Sequence, residues 1–459
     1  MRRRQYTLQA LWEYRKWFLQ LSEEQLVKDP ALLCGLAQML LLQGDLEKAR
    51  ALLDKIPDRS IYWYMTKMTV PGITNEELAD IIKELKEREY YRPGLTLTAG
   101  RPSVLNGMWD VTPQSAKLIE DKEGTLELIE ALYGEQASNI FEVAMAEKLY
   151  WEDDCYTALV HVVGVIPLLR EQKDMRLLFV ALTLEMYILV LNGQAAVVEP
   201  LMKNLRQQIK EVGLEAYLPN IDALEAWAAM YDGHYAQVTK WMREAAPDEY
   251  SKFCMLDLFR YMVKMKAYII QGKYLMVTAL ANRLLPLLEA GKCYMNTCEL
   301  HVIWAMSDYA DGRKEEAFSH MEKALALSEQ YRYDRLLADE GPRVLEVLKQ
   351  YQKTKGLKGK HPYLDKVIAM TEKVAAIHPR YLKSQLPKQP ALTETEMRVL
   401  RLLADFRTNG EIAEITGMAE ETARKHCKHI FAKLEVKNRH QAVDKAVEYG
   451  LIEPKKMNA

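Results

Sequence analysis

Apolar positions recur along most of the chain at spacings of three and four, the period of a helix with one buried face. Openings such as Ser22-Glu23-Glu24-Gln25 and Thr74-Asn75-Glu76-Glu77 set a hydroxyl before an acidic first turn, and Pro57, Pro71 and Pro93 punctuate the pattern. A helix, a stop and a second helix then repeat. Gln43-Gly44-Asp45 is followed by Ala49 and Leu52-Leu53, Asp153 by Ala158, Gly193 by Val198, Gly233 by Val238, Gly272 by Val277, and Gly312 by Ala317. From Asp153 onward the markers are spaced 40, 40, 39 and 40, each with a small apolar residue five positions later. This period predicts tandem helical hairpins stacked into a solenoid. The marker suits a left-handed helix stop, and the small residue lets two backbones approach. A non-repetitive bundle with coincident glycines is the competing reading.

The last stretch departs from the repeat. Thr393 and Glu396 form a capping box before Met397, Leu400, Leu403 and Ala404. Thr408-Asn409 restart the chain into a short helix with Ile412, Ala413 and Ile415, and Gly417 stops it. A third helix from Glu420 carries Ala423, Cys427, Ile430, Phe431 and Leu434 on one face and Glu421, Arg424, Lys425 and Lys428 on the other. Two short helices around a Gly turn, the second basic outside, describe a helix-turn-helix. A four-helix packing module with a solvated basic face is the bland alternative.

The stretch resembles the LuxR/GerE-type DNA-binding domain. The marks are Leu392-Thr393, Leu402-Leu403-Ala404, Thr408-Asn409, Glu411-Ile412-Ala413, Thr422, His426, Ile430-Phe431, Lys433-Leu434, Val436, Asn438-Arg439, Ala442-Val443 and Gly450-Leu451-Ile452. The resemblance implies that the third helix enters the major groove of double-stranded DNA. Arg424, Lys425 and Lys428 would then meet bases or phosphates, and Glu421 could accept from cytosine. Thr422, Asn409 and Lys433 would hold the backbone, and His426 and Arg439 would mix packing with phosphate contact. The final helix, 439–449, would pair two subunits on DNA, and RNA polymerase is a further partner that such regulators allow. Two departures weaken the pattern: Gly410 replaces a usual basic residue, and Ala419 replaces a usual Ser cap. Helical repeats before such a terminus resemble the MalT-like large regulators. Their amino-terminal nucleoside-triphosphatase has no match here, and neither does a phosphoacceptor receiver, which needs alternating parallel strands.

Charge sharpens this division. Residues 1–342 carry 39 Lys+Arg against 50 Asp+Glu, 343–390 carry 11 against 3, and 391–459 carry 12 against 11. The basic segment leading into a reading helix fits a polyanion partner. The expected architecture is all-α. It comprises a TPR-like helical-hairpin solenoid over 1–342 with an irregular insertion at 91–124, a basic linker with one helix over 343–390, and a four-helix reading domain over 391–459. At 49% hydrophobic and 27% charged residues, with no long uncharged apolar run, the composition predicts a cytoplasmic protein without membrane contact. The start Met1-Arg2-Arg3-Arg4 lacks a following apolar core.

Candidate chemistry is sparse. Six scattered cysteines have no CxxC spacing and read as reduced thiols, and Cys293, Cys298 and His301 lack a fourth ligand for a metal. The insertion's Gly100-Arg101-Pro102-Ser103 lacks the Gly-Lys-Ser/Thr of a phosphate loop and reads as an ordered pocket edge. No enzyme and no cofactor is expected. Trp227, Tyr231, Tyr268, Trp304 and Tyr309 fall in first helices of successive repeats, where a concave face would be built. They are the candidates for an effector, small molecule or protein, though core packing is the readier explanation for most of them. A repeat scaffold for a protein partner, with DNA binding secondary, is the alternative.

Overall fold

Every marker read from the sequence is a helix stop with left-handed backbone. In the computed structural model φ is +82° at Gly44, +74° at Asp153, +78° at Gly193, +72° at Gly233, +67° at Gly272 and +85° at Gly312. The next residue's amide reaches back over the helix end each time: Asp154 to the Leu149 carbonyl (2.8 Å), Gln194 to Leu189 (2.8 Å) and Arg313 to Asp308 (2.9 Å). These are the six-to-one bonds of a Schellman stop. The small residue five later is buried in all six: Ala49, Ala158, Val198, Val238, Val277 and Ala317.

The described residues are 8–22, 25–26, 29–56, 59–88, 98, 101–107, 110–194, 197–383, 392–434, 436–448 and 451–452. The basic start at 2–4, Glu23, Glu24, Pro57, most of 91–100, Leu386, Pro387, Pro390, Tyr449 and Gly450 lie outside them. Among the described residues there is no strand, only an isolated bridge between Asn106 and Asp110. Among the described residues no helix is long and apolar enough to cross a membrane. The chain divides into two compact units, Met1–Lys383 and Ser384–Ala459.

The first unit opens with α1 (Leu8–Glu13), α2 (Arg15–Phe18), α3 (Pro30–Gln43), α4 (Leu46–Asp54), α5 (Ile61–Lys67), α6 (Asn75–Glu87), α7 (Ser115–Glu120) and α8 (Lys122–Tyr133). Five helix pairs follow: α9 (Ala137–Trp151) with α10 (Cys155–Glu171), α11 (Met175–Leu191) with α12 (Val198–Glu211), α13 (Leu218–Asp232) with α14 (Tyr235–Glu244), α15 (Leu258–Ile270) with α16 (Tyr274–Ala290), and α17 (Tyr294–Ala310) with α18 (Lys314–Tyr331). Each pair packs internally and against the next, so one apolar core runs from Ile140 to Leu382. The short α19 (Asp334–Ala338) precedes α20 (Gly341–Lys355) and α21 (Pro362–Ile377).

Two features differ from the expectation. The first is a hidden half-period. Lys173, Gly213, Lys292 and Arg332, each twenty residues after a marker, are also left-handed, with φ of +57°, +74°, +52° and +61°. Their following amides make the same stop, as in Asp174 to Leu169 (3.0 Å) and Cys293 to Leu288 (2.9 Å). A side chain in this region costs about 1 kcal/mol or more, so Lys and Arg gave no signal there. The second concerns the stretch read as a linker from 343. Up to Lys383 it is two helices and a buried tail, with Val344, Val347, Leu348, Leu364, Val367, Val374, Tyr381 and Leu382 in the core of the first unit. Its basic residues occupy the outer faces of helices whose other faces are apolar, so net charge misread it.

The insertion's described part enters the first unit's interior. The Glu147 carboxylate on α9 accepts from the Val104 and Leu105 amides (2.9 and 2.8 Å), and the Tyr217 hydroxyl donates to the Thr98 carbonyl (2.9 Å). Arg101 is buried, and donates to Asn296 Oδ1 on α17 (2.5 Å).

Candidate nucleic-acid interface

The second unit is built from its caps upward. Thr393 caps α22 (Glu394–Ala404) by accepting from the Glu396 amide (3.2 Å), and its own amide donates to the Glu396 carboxylate (2.7 Å). A second box, unread in the sequence although its Thr-x-x-Glu signal is present, joins Thr408 and Glu411 at the start of α23 (Asn409–Thr416). Gly417 takes φ +73°, and the chain turns into α24 (Glu420–Lys433), then α25 (Arg439–Glu448). Ala419 at the cap of α24 is extended and makes no side-chain capping bond. Ala423, Cys427, Ile430 and Leu434 bury one face of α24 against Val399, Leu400, Leu403 and Ile412.

The expected contact residues separate into two groups. Glu421, Thr422, Arg424, Lys425 and Lys428 are exposed on α24, joined there by His429. Arg424 pairs with Glu420 one turn earlier (2.9 Å), whereas Lys425 and Lys428 have no protein partner among the described residues. The second group turns inward. Lys433 holds the Glu396 carboxylate (2.6 Å); burial disfavours that charge, but the Lys433 and Thr393 bonds outweigh it and keep the group below its ordinary pKa. Arg439 donates to the Arg407 carbonyl (2.6 Å) and to Asn409 Oδ1 (3.2 Å), which also faces the buried Cys427 thiol at 3.7 Å. Burial raises that thiol's pKa, so it sits there as a neutral, weak donor. His426 is half-buried, and its Nδ1 has no partner among the described residues. In α25, Ala442 and Ala446 serve the unit's own core.

Residues 390–446 match the family model for bacterial regulatory proteins of the luxR family, GerE. The second unit contains a LuxR-type domain. Response regulator protein VraR of Staphylococcus aureus strain Mu3 is 38% identical over 72 residues, which is 16% of this chain and 34% of that protein. The proteins of the same name from Staphylococcus saprophyticus and Staphylococcus epidermidis match equally. The chain therefore spans about a third of the length of these curated relatives. The LuxR-type match includes the helix with the exposed basic face, α24.

The first unit holds a cavity with about 830 Å3 of free space, part of it open to solvent. Trp227 and Tyr231 line it, together with Arg101 and Asn106 of the insertion. Tyr268, Trp304 and Tyr309 do not. Tyr268 instead donates to Glu249 (2.8 Å) in the loop before α15, Trp304 stacks on His320 at 4.1 Å, and Tyr309 packs against the core. Sequence reasoning missed Tyr187, Lys266, Glu299 and Glu340 as lining residues, because nothing in a helix's own pattern says which neighbour faces a shared space.

Proposed function

We propose that the chain is a bacterial transcriptional regulator. Its LuxR-type domain reads double-stranded DNA with α24 in the major groove, and its N-terminal helical unit senses an effector. The observation that carries this reading is the exposed Lys425 and Lys428 pair on a helix whose other face is fully used by the core. Lysines without protein partners at that position supply donors to guanine edges or phosphates. Lys433 and Arg439 act differently, as the struts that set the angle of α24. The homodimer on DNA rests on α25, where Val443 is half-buried.

The test is selection of bound sequences from random duplexes, followed by anisotropy on the selected site. Lys425→Ala and Lys428→Ala should each weaken binding by roughly 1–3 kcal/mol. If both variants bind as the parent does, α24 is not the reader. The second reading, a repeat scaffold for a protein partner, would appear as a chain that selects no DNA sequence at all.

A further inference from the structure

The cavity of the first unit carries a chemistry of its own. One wall is a corner of three rings: Tyr187 and Trp227 meet at 4.6 Å and 63°, and Trp227 and Tyr231 at 4.7 Å and 59°. The same cavity holds an ammonium seat that the chain itself occupies. Lys266 Nζ sits between Glu340 (2.6 Å) and Glu299 (3.2 Å), all three on the cavity wall. Asn106, also lining the cavity and 5% exposed, keeps a buried Oδ1 to which nothing among the described residues donates.

Charge decides what such a space accepts. The carboxylates that line it, Glu299, Asp339 and Glu340, outnumber its lining cations, Arg101 and Lys266, and leave negative charge in excess when all are ionised. The lining cations are also committed, Arg101 to Asn296 Oδ1 and the Gly107 carbonyl and Lys266 to its two glutamates, while Arg335 pairs with Asp339 (2.7 Å) and Asp153 (3.1 Å). Burial first, then the fields of Glu299, Glu147 and Asp339, push the Tyr187 phenol well above its ordinary value. An anion would have to displace these bonds to reach either lining cation. A cation finds ring faces, surplus carboxylate and an unpaired carbonyl oxygen.

The geometry points to a small organic cation, an alkylammonium, as the ligand of this cavity, with its charge against the Tyr187–Trp227–Tyr231 corner and Glu299, and an N–H or O–H donated to Asn106 Oδ1. This deepens the effector reading above and rests on it for its consequence, though not for the site. The consequence follows from what lies behind the wall. Tyr231 stacks on Tyr381 (4.0 Å, 21°), and the Tyr381 hydroxyl donates to Glu340 (2.7 Å). Tyr381 and Leu382, the latter buried with φ +48°, belong to the tail that ends this unit at Lys383. A ligand that draws on Glu340 or Tyr231 therefore acts on the last packed residues before the LuxR-type unit begins.

Calorimetry on the full chain tests the site with choline and putrescine as cationic probes. The controls are the neutral carbon isostere of choline, in which a quaternary carbon replaces the nitrogen, and sucrose. At least one cation should bind saturably at low-millimolar concentration or better. For choline, the neutral isostere should be about tenfold weaker. Glu299→Gln and Trp227→Phe should each weaken the bound cation by a similar factor, with circular dichroism confirming that the variants fold. No saturable binding by either cation, equal binding by the neutral isostere, or preference for sucrose would overturn the proposal. Anisotropy on the selected duplex, with and without the bound cation, separates the two readings. Binding that leaves DNA affinity unchanged keeps the site and sinks the sensing role, whereas intact DNA recognition with no cation binding sinks the site and leaves the DNA-reading proposal standing.

Discussion

At the scale of single residues, the LuxR-type unit is a study in caps. Thr393 and Thr408 each close a reciprocal box, while α24, the helix that presents the basic face, begins at Ala419 with no side-chain bond to its first amides. Glu420 and Glu421 sit at its positive end and offset part of the loss, but in the proposed complex they also bring negative charge toward DNA. Ala419→Ser should therefore stabilise the unit by about 1 kcal/mol, read as a shift in its urea midpoint. An unchanged midpoint would mean that the acidic first turn already satisfies those amides. Gly410 is the other departure from the family pattern, and a Cβ built there meets nothing within 4 Å, so the missing basic residue is not excluded by space.

At the scale of elements, the insertion and the repeats depend on one another through buried charge. Glu147 on α9 anchors the insertion by accepting two of its amides, and burial raises its pKa from 4.5 to about 7 against the opposing pull of those bonds. The folded carboxyl holds its proton more tightly than the unfolded one. Its contribution is thus most favourable below the ordinary carboxylate range and is lost as pH rises through about 7. The loss is on the order of 3 kcal/mol across that window. Glu147→Gln should flatten the fall in stability over the same window, measured by urea unfolding at its two ends. Some slope should remain, because burial also raises Asp339, to about 6. If the variant keeps the parent's full slope, other groups govern that range.

At the scale of the whole molecule, the boundary is at 383 and 384, and the LuxR-type unit has its own core of Val399, Leu400, Leu403, Ile412, Ala423, Ile430, Ala442 and Ala446. A fragment of 384–459 should fold alone, although a domain of this size sits near the lower limit for a self-sufficient core. It should also bind the selected duplex more weakly than the full chain. Circular dichroism of the fragment decides the first point: an unfolded spectrum would mean that the first unit contributes to this core.

The sequence by itself determined the helices, their stops and their close-approach residues, because these depend on neighbours within five or six positions. Gly44, Gly193 and Gly312 announce a left-handed turn that other residues disfavour, and Ala49, Ala158 and Ala317 announce a crowded seam. The helix-turn-helix was legible for the same reason: its caps, Gly417 and its two-faced third helix are all local. The tertiary structure decided what local pattern cannot carry. Lys173, Lys292 and Arg332 take left-handed backbone because packing on both sides imposes it, and the apolar faces of α20 and α21 outweigh their basic surfaces. Lys433 and Arg439 look like DNA contacts in sequence, yet their distances from Glu396 and Asn409 are set by how α22, α23, α24 and α25 pack. The cavity is the extreme case. Arg101 and Asn106 meet Asn296 across nearly two hundred positions, a contact that only the stacking of distant helix pairs brings about.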